Sequence, residues 1–335
     1  MTTERKDVWP SGDAYEPYVG RWSRLIARKF VTWLGVPPSK DWLDVGSGTG
    51  ALCEVILAGA SPRQVTGVDP SDGFVAFARH KVTDRRTTFQ VGDAQKLPIA
   101  DASFDATVAG LVINFIPDQA KAVSEMKRVT RPHGVVGAYV WDYAGEMQMM
   151  RHFWNAAVAM DPSAASLDEG RRFPVCHPEP LADLFEKGGL KDVKTRSIDV
   201  PTIFRNFDDY WAPFLGGQAP APGYCMSLSE DRRVALRDRI RANLPIKRDG
   251  TIHLIARAWA VRGTVHKSTS ADARAPSHVR YWHLADIGNP GPALCHPNGG
   301  GGRPLTSWLS DSTSSSWRIS LSSLWPGCPG AKPCP

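Results

Sequence analysis

Between residues 41 and 142 the chain alternates short apolar runs with stretches of helical periodicity. Trp42-Leu43-Asp44-Val45 is an apolar run ending in Gly46-Ser47-Gly48-Thr49-Gly50, and residues 51–58 then resume helical spacing. A second strand is predicted over 64–68, ending at Asp69-Pro70, with Ser71 placed to cap a helix that runs to 79. Further strands are predicted over 87–91, ending at Gly92-Asp93-Ala94, over 104–111 and over 135–141. A helix over 118–129 is closed by Arg131-Pro132-His133-Gly134. Upstream, Trp22, Ile26, Phe30 and Leu34 recur at helical spacing over 14–34, and Val36-Pro37-Pro38 stops that helix. Strands alternating with helices predict an α/β fold, a parallel sheet covered on both faces.

After Trp141 the pattern loosens. Helices are predicted over 147–160 and 178–185, an edge strand over 191–200, and a short aromatic segment over 207–215. Ser227 is read as opening a helix, with Glu230 placed for a capping box. Over 251–261, Ile252, Leu254, Ala256, Ala258 and Ala260 alternate with mostly polar residues, as in a final strand. From 263 the chain contains no Glu, and prolines interrupt every candidate element. The expected organisation is therefore a domain over 1–262, with helical and aromatic insertions at about 144–190 and 203–248, and a disordered low-complexity tail over 263–335. Trp282, Trp308, Trp317 and Trp325 are unusual for such a tail, and 279–287 resembles a fragment recurring at the ends of unrelated sequences. The tail is expected to have arisen by frameshift or loss of a stop codon and to lack a function.

Composition narrows the possibilities. Of the 335 residues 42% are hydrophobic and 22% charged, as in an ordinary globular protein. The net charge is +6, and half of it falls in the tail, where Lys267, Arg274, Arg280, Arg303, Arg318 and Lys332 outnumber Asp272, Asp286 and Asp311. That leaves no electrostatic footprint for nucleic acid. The six cysteines show no CxxC pair, so a zinc site is unsupported and a reducing, cytoplasmic setting is expected. Residues 1–13 lack the apolar core of a secretion signal, and no apolar run is long enough to span a bilayer. His133, His152 and His177 have no ligand spacing, so no metal is expected.

The glycine turn allows two readings. Gly46-x-Gly48-x-x-Ala51 satisfies a dinucleotide fingerprint, with Asp69 near the distance expected of a ribose carboxylate. Asp44 opposes that reading, because a carboxylate beneath the turn would repel a pyrophosphate. S-adenosylmethionine carries an ammonium and a sulfonium and no phosphate, so a carboxylate there suits it. Asp69 can accept from both ribose hydroxyls. Asp93 can take the adenine amino proton, a backbone N–H near Ala94 can serve a ring nitrogen, and Leu111-Val112 can floor the adenosine.

With these residues in view, 41–142 resembles the class I S-adenosylmethionine-dependent methyltransferases of the small-molecule type, near the ubiquinone/menaquinone-biosynthesis group. The matching segments are Leu43-Asp44-Val45-Gly46-Ser47-Gly48-Thr49-Gly50, Gly67-Val68-Asp69-Pro70-Ser71, Gly92-Asp93-Ala94-Gln95-Lys96-Leu97-Pro98, Ser103-Phe104-Asp105 and Glu125-Met126-Lys127-Arg128-Val129 with Pro132-x-Gly134. The resemblance implies a doubly wound, mostly parallel seven-stranded sheet with one antiparallel strand, which 251–261 would supply. It implies S-adenosylmethionine as methyl donor, held by Asp44, Gly46, Ser47, Gly48, Gly50, Asp69, Pro70, Gly92, Asp93, Ala94 and Leu111. Many relatives have Cys where Ser47 stands. The Asn-Pro-Pro-aromatic motif of nucleic-acid amino-methyltransferases is absent, since 113–117 reads Ile-Asn-Phe-Ile-Pro.

The acceptor is expected to be a small aromatic or apolar molecule. The competing readings are an NAD(P)-type oxidoreductase and a non-catalytic S-adenosylmethionine-binding protein. No catalytic residue is singled out. Tyr15, Tyr18 and Trp22 could lid the pocket or pack the helix on the sheet. Phe207, Tyr210, Trp211 and Phe214 could wall the acceptor or form a satellite core. Asp142 is read as a cap before a base, and Arg171-Arg172 as solvated before anion-binding.

Overall fold

A computed structural model describes residues 20–217 and 219–267. Tyr15, Tyr18 and nearly all of the 263–335 stretch lie outside the described residues.

The apolar runs become seven strands: β1 (Asp41–Val45), β2 (Gln64–Asp69), β3 (Thr87–Val91), β4 (Phe104–Gly110), β5 (Thr130–Trp141), β6 (Lys191–Phe204) and β7 (Ile252–Thr264). They form one sheet in the order β3-β2-β1-β4-β5-β7-β6. Only β7 runs against its neighbours, β5 and β6, so the reversed strand is the one expected from its alternating pattern. The direction of winding switches between β1 and β4, which opens a crevice beyond their carboxyl ends.

The helices of the sheet region are α1 (Arg21–Leu34), α2 (Ala51–Gly59), α3 (Asp72–Lys81) and α4 (Gln119–Val129). Ser71 Oγ caps α3 by accepting from Phe74 N at 3.3 Å, and Asp118 caps α4 by accepting from Lys121 N at 2.9 Å. One face of α1 buries Ile26, Phe30 and Leu34 against β5. The approach is close at Gly137, where a Cβ would stand 2.8 Å from Leu34 Cδ2.

Downstream lie α5 (Gln148–Met160), α6 (Glu169–Arg172), α7 (Pro178–Lys187), α8 (Phe207–Trp211), α9 (Pro220–Ser227) and α10 (Glu230–Asn243). Here Phe207, Tyr210, Trp211 and Phe214 are buried and build a satellite core. Phe214 stacks on Phe153 of α5 with centroids 4.5 Å apart, and the Tyr210 hydroxyl donates to Met149 O at 2.8 Å. Trp22 is likewise a packing residue, edge-on to Phe204 at 5.2 Å.

Three local expectations change. The expected loop at 131–134 is part of β5, which begins at Thr130 and takes up a bulge between its Phe104 and Ala106 pairings. Ser227 closes α9 and its hydroxyl donates to Tyr224 O at 2.8 Å, so no capping box forms with Glu230. Strand β6 continues past Val200 to Phe204, paired with β7 throughout.

Candidate functional site

Strand β1 is buried along its whole length and carries an aspartate at each end. Asp41, at the amino end, accepts from Arg63 Nε at 2.8 Å and from Arg131 Nη1 at 3.1 Å. These guanidinium groups hold its carboxyl below the usual range. Asp44, at the carboxyl end, is 1% exposed, and among the described residues no lysine or arginine pairs with it. Its hydrogen-bond donor is the Cys53 thiol on α2, at 3.3 Å. Burial pushes the Asp44 carboxyl up to about 7; the thiol opposes that shift, and the neighbouring Asp69 adds to it.

Asp44 lines a cleft at the switch point, with Gly46, Ser47, Gly48, Thr49, Ala51, Leu52, Asp69, Leu111 and Val112. Ser23, Phe74, Gly110, Phe115 and Tyr139 complete the wall, around about 800 Å³ of space including the open mouth. The turn after β1 is built on Gly46, Gly48 and Gly50, all at positive φ. At Gly46 a Cβ would lie 2.6 Å from Val112 Cγ2, so this turn and the loop after β4 close directly on each other. Leu111 in that loop has φ 59°, a left-handed conformation that costs a branched side chain energy and recurs where function demands it.

Asp69 ends β2, 7% exposed, and faces the same cleft. Its Oδ2 accepts from Gly48 N and its Oδ1 from Ser71 N, each at 2.9 Å. Burial raises its carboxyl, and those two backbone N–H groups pull it down. Each oxygen keeps a lone pair for a further donor. Ser47 Oγ is buried at the turn and has no hydrogen-bond partner among the described residues.

Six of the expected residues therefore line one cleft: Asp44, Gly46, Ser47, Gly48, Asp69 and Leu111. Gly50, Pro70, Gly92, Asp93 and Ala94 do not. Gly92 N donates to Asp69 O at 3.1 Å, which ties the residue before Asp93 to the end of β2. The Asp93 carboxylate is exposed and accepts from Gln95 N at 2.8 Å. Asp142 caps a turn, accepting from Gly145 N at 3.0 Å and Glu146 N at 2.9 Å. Arg172 lies over the Phe173 ring, 5.0 Å from its centroid. Sequence reasoning missed Ser23, Phe74, Phe115 and Tyr139 as wall residues. Phe115 lies edge-on to Phe173 at 5.1 Å, and Phe173 meets Tyr143 at 5.9 Å.

A cation fits this cleft better than an anion does. A buried carboxylate without a cationic partner is costly, and a pyrophosphate beside Asp44 would add like-charge repulsion. A ligand with an ammonium or sulfonium relieves the same defect, and Asp69 suits a vicinal diol.

The family model of a methyltransferase domain matches residues 43–137. A demethylmenaquinone methyltransferase of Roseiflexus sp. (strain RS-1) is 33% identical over 49% of this chain and 74% of its own length. The chain belongs to the S-adenosylmethionine-dependent methyltransferases. A ubiquinone/menaquinone biosynthesis C-methyltransferase of Desulfotalea psychrophila is 27% identical over 55% of this chain and 77% of its own length. A 2-methyl-6-phytyl-1,4-hydroquinone methyltransferase of Synechocystis sp. is 30% identical over 55% of this chain and 57% of its own length. This methyltransferase is thus an enzyme with S-adenosylmethionine as methyl donor, and the oxidoreductase reading falls away. Among the described residues of this methyltransferase no helix is long and apolar enough to cross a membrane.

Proposed function

We propose that this methyltransferase methylates a ring carbon of a small hydroquinone-type acceptor, with Asp44 and Asp69 as the polar anchors of the donor. The observation that carries the donor side is the contrast on β1, where Asp41 has guanidinium partners and Asp44, among the described residues, has only a thiol. Asp44 would face the ammonium of the methionine end, Gly46, Ser47, Gly48 and Gly50 would cradle that end, and Asp69 would accept from the ribose hydroxyls. Asp93 at the rim would reach the adenine, with Pro70, Gly92 and Ala94 shaping that end. When bound, S-adenosylmethionine supplies a methyl group already activated by sulfonium.

The chain's own part is alignment and exclusion of water. Phe115, backed by Phe173 and Tyr143, offers an aromatic wall to the acceptor ring. What supports a hydroquinone is that the relatives are a demethylmenaquinone, a ubiquinone/menaquinone-biosynthesis and a hydroquinone methyltransferase, together with that wall. Transfer to a ring carbon would exchange the donor's sulfur–methyl bond for a carbon–methyl bond and would release one ring proton, which would pass to bulk solvent as the methylated ring leaves the cleft. A cytoplasmic setting is supported by Cys53, Cys176 and Cys225, which are free thiols. For the chain's organisation we propose one catalytic domain ending with β7 and no role for the residues beyond it in the reaction.

The test is incubation with methyl-labelled S-adenosylmethionine and a panel of reduced and oxidised naphthoquinones and benzoquinones, read by mass spectrometry. Label on a ring carbon of the reduced forms is expected. Label on oxygen or nitrogen acceptors alone would overturn the acceptor assignment.

A further inference from the structure

We propose that Cys53 is a positioning residue for the methyl donor: its thiol, donating to Asp44 from the first turn of α2, biases that carboxylate toward the ionised form a cationic ligand needs. The inference rests on the reading of Asp44 as the ammonium anchor.

The geometry is specific. Cys53 Sγ lies 3.3 Å from Asp44 Oδ2, and both residues are buried. Asp44 faces the cleft on one side and the thiol on the other. Among the described residues, the other groups lining the cleft around it supply no positive charge. Asp69 comes from β2, Ser23 from α1 and Tyr139 from β5. Glu54, next to Cys53, is occupied with Arg24 at 3.4 Å and Lys81 at 3.7 Å. Among the described residues, Cys53 is therefore the side chain that favours the charged state of Asp44 when no ligand is present.

A thiol is a weak donor. It offsets desolvation in part and leaves the carboxyl titrating near neutrality, at about 7. A cationic ligand completes the ionisation. Without the thiol, the carboxyl would hold its proton to higher pH, and donor binding would have to displace it. A hydroxyl in the same place would be the stronger donor and would move the titration the other way.

The experiment is calorimetric titration of S-adenosylmethionine into the full chain and its Cys53→Ala, Cys53→Ser and Asp44→Asn variants, from pH 6 to 8.5. The ratio of variant to parent Kd at each pH cancels the ligand's own titration. Cys53→Ala is expected to bind about tenfold more weakly at pH 6.5, the effect of about one pKa unit, and nearly as well as the parent at pH 8.5. Cys53→Ser is expected to equal or exceed the parent at pH 6.5. A ratio for Cys53→Ala that stays at one, or that does not change with pH, overturns the proposal, as does failure of Ser to restore binding. Should Cys53→Ala not fold, Cys53→Ser alone decides, by whether its affinity profile moves to lower pH. Asp44→Asn separates the two claims. If it binds like the parent, the reading of Asp44 itself fails; if it binds weakly while Cys53→Ala shows no pH-dependent loss, only the role of Cys53 fails.

Discussion

Asp41 and Asp44 stand three residues apart on one buried strand, and only Asp41 is neutralised by guanidinium groups. The two should respond oppositely to loss of charge. Asp41→Asn should lower the stability of the ligand-free protein by about 1–3 kcal/mol, because the buried group loses its charge-assisted hydrogen bonds to Arg63 and Arg131. Asp44→Asn should leave it unchanged or raise it at pH 8, because it removes a buried charge with no cation beside it. Thermal melts of the two variants at one pH check both signs.

A Cβ at position 46 meets Val112 Cγ2 at 2.6 Å, and φ there is 72°. Gly46→Ala should therefore strain the turn and push apart the two loops that form the cleft. Stability should fall by about 1–3 kcal/mol. Affinity for S-adenosylmethionine should fall at least tenfold, measured by calorimetry on the folded fraction. Gly48 has open space at its Cβ, so its alanine variant should suffer from backbone strain alone and lose less.

Asp44 and Glu169 should each lower the stability of the ligand-free protein as the solution becomes more alkaline, against an opposing contribution from His152, whose pKa burial lowers and whose share is recovered as pH rises through the imidazole range. Burial raises the Asp44 carboxyl to about 7 and that of Glu169 to about 8. For a carboxyl whose folded pKa lies above its unfolded one, the stabilisation is complete below the unfolded pKa and is lost as pH rises through the folded pKa. From the usual carboxyl range up to about 7 for Asp44, and up to about 8 for Glu169, the folded state holds the extra proton, so each group's contribution falls across its own window and levels off above it. Denaturant titrations at pH 5.5, 7 and 8.5 should show this fall. Asp44→Asn and Glu169→Gln should each flatten it, and saturating S-adenosylmethionine should offset the Asp44 part.

The aromatic insertion should behave as core. Phe153→Ala, which removes the ring stacked on Phe214, should destabilise the protein by about 3–5 kcal/mol. Its effect on acceptor KM should be small compared with that of Phe115→Ala, which alters the cleft wall. Steady-state kinetics on the folded fraction of each variant distinguish the two roles.

Strand β7 ends at Thr264, and Val265 N still donates to Gly134 O at 3.0 Å. A chain cut after Lys267 should therefore keep its melting temperature and its affinity for S-adenosylmethionine. A cut after 262 should lower stability, because it removes two paired residues of the strand, Gly263 and Thr264.

Much of the frame was legible because it rests on local rules. A fully buried parallel strand must be apolar, so Trp42-Leu43-Asp44-Val45 stands out, and its aspartate stands out further. Strand β7 has Arg257 and Arg262 on it, yet its buried positions alternate strictly enough to be read. The start of β5 was not legible, because Arg131-Pro132-His133-Gly134 has turn chemistry and tertiary pairing overrides it. Helix α9 was hidden by its prolines and glycine. The wall residues Ser23, Phe74 and Tyr139 come from three different elements, and nothing in a linear pattern reports which face of each meets the crevice. The roles of Phe207, Tyr210, Trp211 and Phe214 turned on whether α5 packs against them, which only the fold decides.

The central claim is that Asp44 is the counter-ion of a cationic methyl donor. The direct measurement is the Kd of S-adenosylmethionine for the parent and for Asp44→Asn at pH 8, with melts to show that both are folded. A loss of about a hundredfold or more is predicted, as expected when one partner of a buried charge pair is removed. Binding within about twofold of the parent, less than about 0.5 kcal/mol, would contradict it.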